Sequence, residues 1–121
     1  MSSNEIEFPE MRLEIINGVS ALADNDRQHK LWLAAQPTER LEDAIHSLYD
    51  DSPGLFEHPR AQVGIYLRNE EEAKAIEALF FAIEQVFSHL GMNAPTQEYL
   101  GSSLWNEVVA KAQHARNTML S

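Results

Sequence analysis

Residues 69–91 read NEEEAKAIEALFFAIEQVFSHLG, and the fold turns on them. Asn69 is a residue type whose side-chain oxygen accepts an N–H at a helix start, and Glu72 stands three residues on, at the capping-box position. Ile76, Leu79, Phe80, Ile83, Val86, Phe87 and Leu90 then recur every three or four residues, an apolar stripe of about five helical turns. Gly91 is suited to the left-handed position that ends such a helix. The spacing predicts one long central helix with its stripe in the core. Phe80 and Phe81 are adjacent and cannot share a face, so Phe81 is expected against a flanking element or at the surface.

Working outward, Met11, Ile15, Val19, Leu22 and Ala23 form the stripe of a helix that opens after Pro9. Asp24-Asn25-Asp26 supplies turn and cap residues, and a short helix over residues 27–36 would face Leu31, Trp32 and Ala35 inward. A third helix over residues 37–49 carries Leu41, Ala44, Ile45 and Leu48, with Glu39 placed in its first turn by the helix dipole. Asp50-Asp51-Ser52-Pro53-Gly54 stops it.

Residues 55–68 read two ways. Val63, Ile65 and Leu67 alternate as in a strand, while Val63, Tyr66 and Leu67 fit a helix. The helix is favoured because a lone strand would leave its donors and acceptors without a ladder; an extended form of residues 62–68 is the alternative. Beyond Gly91, Thr96 is placed to cap one turn and Ser102 or Ser103 to cap a last helix. That helix carries Trp105, Val108, Val109, Ala112, Arg116 and Met119 as a narrow, alanine-rich stripe suited to close helix packing. The expectation is an all-α fold, a compact bundle of five or six helices, with residues 1–9 a disordered tail and residues 10–121 a single helical domain.

Composition excludes whole classes of chemistry. The 121 residues hold no Cys, which removes thiolate nucleophiles, disulfides and cysteine zinc sites and fits a reducing compartment. The first nine residues have neither the basic start nor the apolar run of a signal peptide, and no stretch reaches the roughly 20 apolar residues of a membrane span, so a cytoplasmic location is expected. Gly18, Gly54, Gly64, Gly91 and Gly101 are too scattered for a phosphate-cradling loop, and no serine sits in a nucleophile elbow. His46, Asp50, Glu57 and His58 could supply two imidazoles and two carboxylates to a divalent metal, the basis of a metal-dependent enzyme reading. The competing account of His46 and Asp50 is an exposed pair four apart on a helix. No catalytic residue, metal or cofactor is assigned.

Charge is the most informative feature. Nine Lys and Arg against nineteen Asp and Glu leave a net −10, which argues against nucleic acid and favours a basic partner. Between Glu39 and Glu72 lie nine acids and three arginines, a local −6. If those segments lie side by side, Asp43, Asp50, Asp51, Glu57, Glu70 and Glu71 form an electrostatic rim, with Tyr49 or Phe56 as an apolar anchor. The alternative is that these charges decorate helix starts and turns. Trp32 and Trp105 divide in the same way, between core and interface.

Leu48-Tyr49-Asp50-Asp51, Asn69-Glu70-Glu71-Glu72-Ala73 and Tyr99-Leu100-Gly101-Ser102-Ser103-Leu104-Trp105 together give the chain a resemblance to small acidic bacterial proteins of no assigned chemistry. In size, charge and lack of a catalytic constellation it is also similar in type to immunity proteins of contact-dependent growth inhibition and related toxin systems. That likeness implies a non-catalytic cytoplasmic protein that neutralises a basic toxin domain, often a nuclease. The alternative is a helical module that homodimerises, or joins a larger complex, through Phe81 and the last helix.

Overall fold

Pro9 begins the first helix because its missing N–H falls where a helix start has no intrahelical acceptor to offer. The computed structural model describes residues 6–121. Helix α1, Pro9–Ala23, buries Ile15, Val19, Leu22 and Ala23 as the stripe predicts, and Gly18 and Ala21 with them. Gly18 sets the approach of a neighbour: a β-carbon there would lie 3.1 Å from Ser47 Cβ and 3.3 Å from Leu48 Cγ, both on the helix that spans Leu41–Tyr49.

Helix α2, Asn25–Arg27, starts where Asp24 accepts the Arg27 N–H at 3.0 Å and widens into a π-turn over Gln28–Trp32. The expected helix to residue 36 therefore stops early, and Ala35 is exposed. The register is set by Gln28, fully buried, whose amide donates to the Ala21 and Leu22 carbonyls at 2.9 Å each and accepts from Trp105 Nε1 at 2.8 Å. Helix α3 is Leu41–Tyr49, shorter than expected, because Glu39 takes another role. It sits outside the helix, accepts from Trp32 Nε1 at 2.8 Å and pairs with Arg27, tying down the connection.

Residues 55–68 form neither the favoured helix nor a paired strand. A 3₁₀ turn, Pro59–Gln62, leads into a tight loop in which the N–H groups of Ile65, Tyr66 and Leu67 converge on the Gln62 carbonyl. The Gly64 and Ile65 carbonyls accept from Glu7 and Phe8, each at 3.0 Å. The ladder problem is thus solved by local turns and by the segment before α1. The expected tail is corrected to that extent: Glu7–Pro9 is docked on this loop, and residues 1–5 lie outside the described residues.

Helix α4, Glu70–Leu90, is the central helix, with Asn69 accepting the Glu72 N–H at 3.0 Å and Gly91 ending it at φ +80°. Helix α5, Thr96–Gly101, is one and a half turns, and Ser102 caps α6, Ser103–Leu120. Helix α6 packs against α4 and α1, and α1 packs against α3, so these four enclose one core. Trp105 is fully buried, Trp32 nearly so, and the two meet edge to face at 6.1 Å. Among the described residues there are six helices and no strand, which makes the fold a compact all-α bundle. None of these helices is long and apolar enough to cross a membrane.

One node locks the bundle at the α6 C-terminus. Glu72 is fully buried and accepts from Arg12 Nη1 at 2.7 Å, Arg12 Nη2 at 2.9 Å, Arg68 Nε at 2.7 Å and the Arg68 N–H at 2.8 Å. The box partner expected for Glu72, the Asn69 N–H, is not the one it takes; the carboxylate reaches one residue further back and across to α1. Both guanidiniums also donate to the Met119 carbonyl, satisfying a free end of α6. Burial pushes the Glu72 carboxyl up, but the hydrogen bonds from Arg12 and Arg68 outweigh it and hold it below the usual carboxylate range.

A carboxylate-rimmed cleft between α3 and α4

Helix α3 presents Leu41, Glu42, Ile45, His46, Tyr49 and Asp50 along one side, spaced as a single helical face. Opposite stand Glu84 and Phe87 of α4, and the connection after Gly91 closes the end with Met92 and Ala94. Tyr99 secures that connection, its hydroxyl donating to the Gly91 carbonyl and accepting the Ala94 N–H at 3.3 Å. These residues bound a cleft of about 270 Å³. Its floor is aliphatic and aromatic. Its charged lining is Glu42, Asp50 and Glu84, with no lysine or arginine.

Tyr49 links the two walls. Its hydroxyl donates to Glu84 Oε2 at 2.8 Å, and its ring packs on Phe56 and Phe80, both with centroids 4.9 Å away. Burial, then the hydrogen bond and charge of Glu84, push the phenol far above its ordinary value, so it remains a neutral donor. Asp50 pairs with His46 four residues earlier, and both are well exposed at the rim.

The eight residues expected as a rim and anchor separate in space. Tyr49 and Asp50 line the cleft. Phe56 lies behind Tyr49, half-buried against Phe80 at 5.1 Å, so much of its ring is committed to the core. Asp43 accepts the Arg40 N–H at 3.0 Å and lines a different depression with Asn17, Gly18 and Ser47. Glu70 faces Arg60 at 3.6 Å, while Asp51, Glu57 and Glu71 are exposed. Two of the nine acids in the −6 stretch are structural: Glu39 holds Arg27 and Trp32, and Glu72 holds Arg12 and Arg68.

Sequence reasoning missed Glu84, Phe87, Met92 and Tyr99 as parts of this site and passed over Glu42. A signal was present for one of them, because Glu84 stands four residues after Phe80 and three before Phe87, at the edge of the apolar stripe. Among the described residues no three His, Asp or Glu side chains come together as a metal-holding group, so Glu57 and His58 do not join His46 and Asp50.

The fold and the cleft define the class: a small all-α bundle with an acid-rimmed apolar groove on one side. The profile of a family described as a domain of unknown function (DUF7945) matches residues 6–121, and the chain belongs to that family. No curated protein and no solved structure matches the chain.

Proposed function

We propose that this chain is a non-catalytic binding protein that receives a basic protein on the side of the bundle bearing the α3–α4 cleft. The observation that carries the reading is the lining itself, apolar at the floor, with Glu42, Asp50 and Glu84 at the rim, the His46 imidazole beside Asp50, and no lysine or arginine. Such an arrangement speeds encounter with a positive surface and rejects a negative one. In its fuller form the reading makes the partner a toxin domain, a nuclease being one such, and the chain a cytoplasmic immunity protein that neutralises it. The net −10 and the small size support that form.

The test is an affinity capture with tagged protein from its native host, washed at low and then high salt, alongside a variant with Asp50→Lys and Asp51→Lys. The expected result is one basic protein held at low salt, released at high salt and not held by the variant. Equal retention by the variant, or a partner without net positive charge, overturns the reading.

A second reading rests on Phe81, which is 68% exposed. It stands in a groove of about 520 Å³ between α4 and α6 with Ala78, Ala82 and Leu104 beside it. This favours self-association or docking into a larger complex. Sedimentation velocity of the wild type and of Phe81→Ser tests it: a concentration-independent monomer for the wild type removes the homodimer.

A further inference from the structure

We infer that the α3–α4 cleft is a receptacle for one arginine side chain of the basic partner, an inference that rests on the functional reading above and narrows it. Three features of the lining select the occupant. The first is length and polarity: beneath the carboxylates lie Leu41, Ile45, Phe87 and Ala94, which suit an aliphatic stem laid against them with its charged head at the rim. The second is the placement of charge. Glu42 and Asp50 belong to the α3 wall and Glu84 to the α4 wall, so a cation between them is approached from both sides. A guanidinium has five N–H donors in a planar fork and can serve separated carboxylates at once, whereas an ammonium is a compact point charge.

The third is aromatic. Phe87 and Tyr99 both line the cleft and stand edge to face, 5.7 Å apart at 86°. Tyr99 is buried behind Phe87, so the half-buried Phe87 ring is the aromatic surface left beside the carboxylates, and such a ring favours a flat cation that stacks. Tyr49 already donates to Oε2 of Glu84, which fixes that carboxylate and leaves Oε1 to accept from the incoming guanidinium. That carboxylate is therefore held in place before the partner arrives, which lowers the ordering that binding must accomplish at the α4 wall.

The experiment is a ¹⁵N–¹H titration of the full chain at low salt with two short peptides identical except for one residue, arginine in one and the uncharged isostere citrulline in the other. A lysine peptide and a hexa-arginine peptide complete the set. The expected result is saturable shifts at Ile45, Tyr49, Glu84, Phe87 and Ala94 with arginine and none with citrulline. Binding should weaken about tenfold in Glu84→Gln, as loss of one charged hydrogen bond requires, with the fold of that variant checked by circular dichroism.

Equal shifts with citrulline, or lysine binding as well as arginine, overturn the assignment. Shifts confined to Asp51, Glu57 and Glu71 with the cleft silent overturn it while leaving the basic-partner reading standing. Silence of every residue toward the arginine and hexa-arginine peptides overturns both.

Discussion

Replacing Glu72 by Gln removes the one negative charge between Arg12 and Arg68 while keeping the side chain's shape. Glu72 is fully buried, Arg12 is 11% exposed and Arg68 24%, so the three groups are largely withdrawn from water. The carboxylate accepts four hydrogen bonds, two from Arg12, one from the Arg68 side chain and one from the Arg68 N–H. An amide has one acceptor oxygen, and its NH₂ would face a guanidinium N–H, donor against donor. Breaking a buried pair in this way typically costs about 3–5 kcal/mol, because the remaining charge stays desolvated without its counter-ion. Against a total stability of about 5–15 kcal/mol that is a large fraction, and the melting temperature should fall by roughly 10–20 °C.

Urea unfolding followed by circular dichroism measures the loss directly, with an unchanged denaturant slope expected if only the native state is affected. The pH dependence supplies an independent check. The folded carboxyl titrates below its unfolded value, so its stabilisation is present above about pH 4.3 and is lost as pH falls through the lower folded value. The gap between wild type and Glu72→Gln should therefore narrow in acid. A loss below about 1 kcal/mol, or a gap that does not change below about pH 4, would refute the claim that this node is desolvated and charge-paired.

Gln28→Leu should cost about 3 kcal/mol, since it leaves Trp105 Nε1 and the Ala21 and Leu22 carbonyls buried without their partner; an unchanged urea midpoint contradicts that accounting. Gly18→Val should lower stability by about 2 kcal/mol or more by forcing α1 and α3 apart, and a melting temperature at or above wild type would show the contact to be slack. The Tyr49 phenol titrates above its usual value of about 10, so its contribution is intact below that pH and is lost as pH rises beyond it. Wild type should thus lose more melting temperature between about pH 9 and pH 11 than Tyr49→Phe does, and parallel curves for the two would argue against the Glu84 pairing.

What the amino-acid sequence determined by itself is the part governed by near neighbours. The α4 stripe, the Asn69 cap, the Gly91 stop, the Pro9 start and the Ser102 cap are all relations within four residues along the chain, the range of helical hydrogen bonds and helix faces. From these follow the all-α class and the bundle. Where the reading failed, the deciding partner lay far away. The short helix from Asn25 is held to the core by Gln28, whose amide accepts from Trp105, 77 residues on. Glu39 leaves the α3 start for Trp32 and Arg27, and residues 62–68 escape both periodic forms because Glu7 and Phe8 meet their carbonyls.

The candidate site divides along the same line. Tyr49 and Asp50 were legible from the α3 pattern and the charge count. Glu84, Phe87 and Tyr99 entered only when packing set α4 and the connection after it opposite α3. The sum of charge is a property of composition, but which carboxylates neutralise arginines inside the fold and which remain free at a rim depends on distances between elements. Tertiary structure alone assigns Glu72 to the interior and Glu84 to the cleft, because burial and pairing are set by residues that sequence separation leaves unrelated.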